Sequence, residues 1–115
     1  MPKQITYANM KFSSAHAACQ YFNLREQRFS AFSRRWFGSW LWNHGDYSEQ
    51  FTLFLECWNS GEFVYQERKY INLWKFLYLN KIYWQGYIEI RRLYPDWCDY
   101  DTLTRIELLM RHHRE

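Results

Sequence analysis

The chain has 115 residues, 15 Lys or Arg against 12 Asp or Glu, and a formal charge of +3, a size that suits one domain with one core and leaves little for two. Aromatic residues make up 23% of it, and rings bury much area at small entropic cost, so a core is within reach although aliphatics are few. No apolar run approaches the roughly 20 residues of a membrane-spanning helix. The residues after Met1 lack an apolar leader, so no membrane partner and a cytoplasmic location are expected. Cys19, Cys57 and Cys98 are odd in number and widely spaced, which fits reduced, packed thiols.

In chain order, Ile5 and Tyr7, then Met10 and Phe12, alternate around Ala8-Asn9 and predict a short hairpin. Ser14 stands as N-cap of a first helix, about 15–22, with Ala17, Ala18 and Tyr21 facing inward. Asn23, with Glu26 three residues on, predicts the cap of a second helix. Its Phe29, Phe32, Trp36 stripe has helical spacing and reads as core, and Gly38 ends it. A third helix starts near Asp46 with Glu49 and shows Tyr47, Phe51, Phe54, Leu55 and Trp58 on one face.

The same string recurs 58 residues later. Phe63, Tyr65 and Tyr70 repeat the hairpin, Asn72 caps a helix over about 73–80 with Phe76 and Leu77 inward, and Tyr87, Ile90, Tyr94 repeat the stripe before Pro95. With one residue dropped, "RRWFGSW" (34–40) falls on "RRLYPDW" (91–97), setting Arg34-Arg35 on Arg91-Arg92 and Trp40 on Trp97. "DYS" (46–48) meets "DYD" (99–101), and a last helix from about Asp101 shows Leu103, Ile106, Leu109 and Met110. The expected fold is therefore mainly α with short β hairpins: two tandem hairpin-plus-three-helix units, helix-turn-helix-like, about 4–58 and 62–112, packed as one domain over 1–115.

Charge alternates by block. Residues 1–45 hold six bases and one acid, and 46–67 hold five acids and no base. Residues 68–95 return to six bases and one acid, and 96–115 hold three bases and five acids. Two strongly basic segments thus lie behind a modest net charge. They consist of Lys3, Lys11, Arg25, Arg28, Arg34 and Arg35, then Arg68, Lys69, Lys75, Lys81, Arg91 and Arg92. Several such side chains on one face neutralise phosphate. The arginine pair of each copy also suits a helix carboxy end on dipole grounds alone.

No set of residues assembles into a catalytic site. Glu67-Arg68-Lys69 and Pro95-Asp96 stand in the wrong order for a metal-dependent nuclease, and Asn43-His44 lacks the partners of a His-Asn-His nuclease. His16 and Cys19 are two ligands where zinc needs at least three, and four scattered glycines form no phosphate loop. His112-His113 with Arg111 and Arg114 reads as a solvated basic tail. No enzyme activity, metal or cofactor is expected.

The residues Phe12, Ser13, Ser14, Ala17, Ala18 and Leu24, then Arg35, Gly38 and Trp40, resemble the nuclease-associated modular domains, short DNA-binding modules appended to phage and intron-encoded homing nucleases. The second copy keeps Tyr70, Arg92 and Trp97 but has Lys75 and Phe76 in place of the alanines and Pro95 in place of the glycine. The resemblance implies a helix-turn-helix-like fold and duplex DNA as partner, here without a nuclease domain. A composition rich in Trp, Tyr and Arg also fits a protein interface. The alternative is thus a phage-encoded inhibitor of a host nucleic-acid-handling complex, of the size of anti-CRISPR proteins.

Overall fold

The computed structural model describes residues 4–113. Strand β1 (Ile5–Tyr7) pairs antiparallel with β2 (Met10–Phe12), Ile5 opposite Phe12 and Tyr7 opposite Met10. Ala8 and Asn9 turn the chain with φ of 50° and 66°, both left-handed, as a two-residue hairpin with matched strand twist requires. Helix α1 (Ala15–Tyr21) starts on Ser14, whose Oγ accepts the Ala17 N–H at 3.1 Å. Its buried positions are Ala15, Ala18 and Cys19. Tyr21, expected inward, is 64% exposed and lies over Phe12 and Phe22, because a buried row through 15, 18 and 19 leaves 21 outside.

Asn23 does not cap the second helix. Its φ of 57° closes the first one, and the Leu24 N–H then reaches back to the Cys19 carbonyl at 2.8 Å. Asparagine tolerates the left-handed region, which favours this end of a helix over the next start. Helix α2 (Glu26–Trp36) is entered from extended Arg25 and buries Phe29, Phe32 and Ser33, with Trp36 half-buried. Gly38, at φ 94°, turns the chain into a short helix that the pattern did not predict, α3 (Ser39–His44). Its Trp42 stacks on Tyr47 at 4.9 Å and meets Phe29 edge-on at 5.3 Å. Helix α4 (Tyr47–Leu53) starts on Asp46, which accepts the Ser48 and Glu49 N–H groups, and runs into a π turn over Phe54–Trp58. Ser48 Oγ accepts the Thr6 N–H at 2.8 Å and ties α4 to β1.

The chain divides into two compact units, Met1–Glu56 and Cys57–Glu115. The second begins with β3 (Phe63–Tyr65) paired with β4 (Arg68–Tyr70), and its turn residues Gln66 and Glu67 have φ of 50° and 66°. Helix α5 (Leu73–Leu79) is capped by Asn72, whose Oδ1 accepts the Lys75 N–H at 2.8 Å while Nδ2 donates to the Trp58 carbonyl at 3.0 Å. Lys81 closes it at φ 57°, and the Ile82 N–H meets the Leu77 carbonyl at 2.9 Å. Every one of these positions lies 58 beyond its counterpart, and α6 (Trp84–Arg92) starts in the same register as α2.

Beyond α6 the spacing changes to 55. A 3-10 turn (Trp97–Asp99) stands in place of α3, and α7 (Thr102–His113) starts on Asp101, whose Oδ1 accepts the Thr104 N–H at 2.7 Å. Trp97 meets Tyr87 edge-on at 5.7 Å, as Trp42 meets Phe29. The counterpart of Trp97 is therefore Trp42 and not Trp40, which is 69% exposed. Three fewer residues leave room for one tight turn but not for a helix, and the ring that must cover the α6 aromatic is the one retained. Ile106 and Leu109 are fully buried in the Phe51 and Phe54 positions, whereas Leu103, expected inward, is 47% exposed at the Ser48 position. The architecture is mainly α with two small antiparallel hairpins.

Candidate nucleic-acid interface

An α-helix turns about 100° per residue, so positions seven apart return to nearly the same direction. On α2 the core takes Phe29, Phe32 and Ser33. The opposite side carries two rows, Gln27 with Arg34 and Arg28 with Arg35, on either flank of Ala31, and all five are exposed. Arg25, exposed at the N-cap, precedes them. One carboxylate borders the face: Glu26 lines a depression beside Gln27, Ala31 and Arg34, with its Oε2 3.3 Å from Nδ1 of His16 on α1.

Arg34 and Arg35 are adjacent in sequence but about 100° apart around the helix. The Arg34 guanidinium lies over the Trp42 ring, 5.9 Å from its centroid, and borders a depression of about 480 Å³ with Glu26, Gln27, Ser30, Ala31 and Trp42. Its charge acts on Tyr47, whose phenol is raised above its ordinary pKa by burial and drawn back by Arg34. Arg35 shares its side with Arg28. The rings Phe29 and Phe32, 0% and 2% exposed, fix the helix from behind, so the guanidinium groups start from a rigid base. Lys11 is exposed at the centre of β2, opposite Thr6, on a different element of the same unit.

Several cations of the second unit have partners of their own. Lys69 Nζ lies 3.0 Å from Glu62, Lys75 Nζ sits 5.6 Å from the Tyr78 ring, and the Arg68 guanidinium lies over Tyr70. Arg91 is half-buried and its Nη2 reaches Cys98 Sγ at 3.4 Å. Lys81, in the turn after α5, and Arg92, the last residue of α6, are exposed. The one-residue gap that set Arg34-Arg35 on Arg91-Arg92 does not exist in the helices. In continuous register Arg91 takes the buried Ser33 position, Arg92 that of Arg34, and Leu93 that of Arg35. The face equivalent to Gln27, Arg28, Ala31, Arg34 and Arg35 reads Gln85, Gly86, Glu89, Arg92 and Leu93. Lys3 and Arg114 lie outside the described residues.

Sequence reasoning missed Gln27 and Ala31 as members of the face, although a helical wheel centred opposite Phe29 would have found both. Among the described residues no cluster of three or more His, Cys, Asp or Glu could hold a metal ion, and no helix is long and apolar enough to cross a membrane. Cys19 is 1% exposed, and burial, with the Glu26 charge, pushes its thiol up to about 11. No known protein family, curated protein or solved structure matches this chain.

Proposed function

We propose that this chain is a small phage-type nucleic-acid-binding protein, working in the host cytoplasm without catalysing a reaction, that lays the exposed face of α2 against duplex DNA. The observation that carries the reading is the composition of that face: four arginines, Arg25, Arg28, Arg34 and Arg35, with Gln27 around the small Ala31, against one acid, Glu26, at its edge. A helix-turn-helix protein presents its second helix to the major groove with amino-terminal residues on base edges. Here α1 and α2 are joined by four residues, 22–25, with Asn23 left-handed. Gln27 and Arg28 then stand where base contacts are made, since glutamine and arginine match adenine and guanine edges. Arg35, two turns further on, and Lys11 supply phosphate contacts. The resemblance to nuclease-associated modular domains agrees with this reading.

The test is a titration of the chain with a random-sequence duplex at several salt concentrations. Binding should weaken steeply with salt, and Lys11→Ala with Arg35→Ala should lower the slope of log K against log salt by about 0.9 for each lost phosphate contact. Arg92→Ala in the second unit should change it less. Salt-insensitive binding, or a double variant that binds as the parent does, refutes the proposal. Binding to a protein alone would place the chain in the other class, an inhibitor of a host nucleic-acid-handling complex.

A further inference from the structure

The depression beside α2 is lined by two opposite charges that do not pair with each other. It measures about 480 Å³ and lies between Glu26, Gln27, Ser30, Ala31 and Arg34 of α2 and Trp42 of α3. Glu26 and Arg34 start about 12 Å apart along the helix axis, and among the described residues no ion pair joins them. Each keeps hydrogen-bonding capacity. The Arg34 guanidinium meets Trp42 through the ring face, 5.9 Å from the centroid, which leaves its fork of N–H donors unused. Glu26 has Oε2 3.3 Å from His16 Nδ1, and its Oε1 has no hydrogen-bond partner among the described residues.

A ligand that satisfies both groups must offer adjacent donors on one edge and adjacent acceptors on another. Guanine does so. Its N1–H and N2–H2 groups face a carboxylate as a donor pair, and its O6 and N7 face a guanidinium as an acceptor pair. Adenine sets one donor beside one acceptor, which suits an amide, and cytosine and thymine lack one pair or the other. In a duplex the N1–H and N2–H2 groups of guanine are taken by cytosine, so only an unpaired guanine can use Glu26. The second unit has no such site, since Trp84 stands in the Glu26 position and Ile88 in the Ser30 position.

We infer that this depression is a binding site for an unpaired guanine base of a nucleic-acid strand. Glu26 accepts from N1–H and N2–H2, Arg34 donates to O6 and N7, and the Trp42 ring fixes the plane of the guanidinium. The small Ala31 lets the sugar and phosphate of that nucleotide pass toward Arg28 and Arg35. The choice of a nucleobase as occupant rests on the reading of α2 as a nucleic-acid face.

The experiment measures, by fluorescence anisotropy, the affinity of the full chain for labelled oligothymidylate strands that carry guanine, inosine, adenine, cytosine or thymine at one central position. Guanine should bind about tenfold or more tighter than adenine, cytosine or thymine, as a bidentate contact gives. Inosine, which lacks the N2 amino group, should fall between. Annealing the complementary strand should abolish the preference. Glu26→Gln should remove the preference and yet tighten the all-thymine strand, because a negative charge leaves the face, a divergence that misfolding could not produce. Strands that all bind the parent alike, or a Glu26→Gln variant that keeps the preference, overturn the inference. Displacement of the guanine strand by glycine, a zwitterion able to use the same two charges, overturns it as well. If the preference is absent while random duplex still binds with steep salt dependence, this inference falls alone; if the chain binds no nucleic acid, the reading of α2 falls with it.

Discussion

Replacing Tyr87 by phenylalanine removes one oxygen atom from the core of the second unit. Tyr87 and Trp97 are 0% and 1% exposed, and the Trp97 indole N–H donates to the Tyr87 hydroxyl at 3.0 Å in a T-shaped pair. The substitution changes little volume, so no large cavity term enters. It leaves a buried donor without that acceptor, which costs about 1–3 kcal/mol, more than the ~1 kcal/mol a hydrogen bond contributes net. For a unit of this size each kcal/mol lowers the melting temperature by roughly 4–8 °C. Thermal unfolding of the full chain, followed by circular dichroism with a urea series for ΔG, gives the number. Trp97→Phe completes a double-mutant cycle: the double variant removes donor and acceptor together and should cost less than the two single changes added. A Tyr87→Phe variant within about 0.5 kcal/mol of the parent would show that the bond adds nothing to stability and that ring packing alone holds Trp97.

Ser33 is fully buried and its hydroxyl finds no hydrogen-bond partner among the described residues, so Ser33→Ala should leave stability unchanged or raise it by up to about 2 kcal/mol; a drop in the urea midpoint would contradict this. The thiols of Cys19, pushed up to about 11 by burial and the Glu26 charge, and of Cys57, fully buried, should resist a disulfide reagent at neutral pH while exposed Cys98 reacts. Rapid modification of Cys19 in the folded protein would show that its helix opens. Hydrogen bonds from the Thr104 backbone and side chain, aided by Arg105, hold the Asp101 carboxyl below its ordinary range. The folded state therefore binds that proton less readily than the unfolded chain, and the group's contribution is complete above the unfolded value of about 4 and is lost as pH falls through the lowered one. Asp101→Asn, which can still cap α7, should flatten the acid limb of the stability profile; an unchanged limb would assign the acid sensitivity to other carboxylates.

Much of the framework was legible in the residues because local rules govern it. Ser14, Asn72, Asp46 and Asp101 start helices by accepting backbone N–H groups in their own first turns, and the Phe29, Phe32 and Tyr87, Ile90 rows follow from helical period. Asn23 misled because its side chain suits either a cap or a left-handed helix end, and only the Leu24 to Cys19 bond distinguishes them. Trp40 misled because a matching letter at a convenient spacing carries no information about which ring reaches the core.

What the sequence alone determined is the order of elements apart from α3 and the 3-10 turn, where the hairpins and most helices begin, and two basic segments. What only tertiary structure decided is how the two copies align, and so which residue of α6 stands in the place of each cation of α2. Arg34 and Arg35 adjoin in the chain but diverge around α2, whereas Arg28 and Arg35, seven apart, face the same way. Leu93 takes the place of Arg35 and turns a repeated helix into a different surface. Side-chain direction depends on helix register, and register is fixed by the rings packed behind each helix, Phe29 on Trp42 and Tyr87 on Trp97, a long-range choice that no local run of residues encodes.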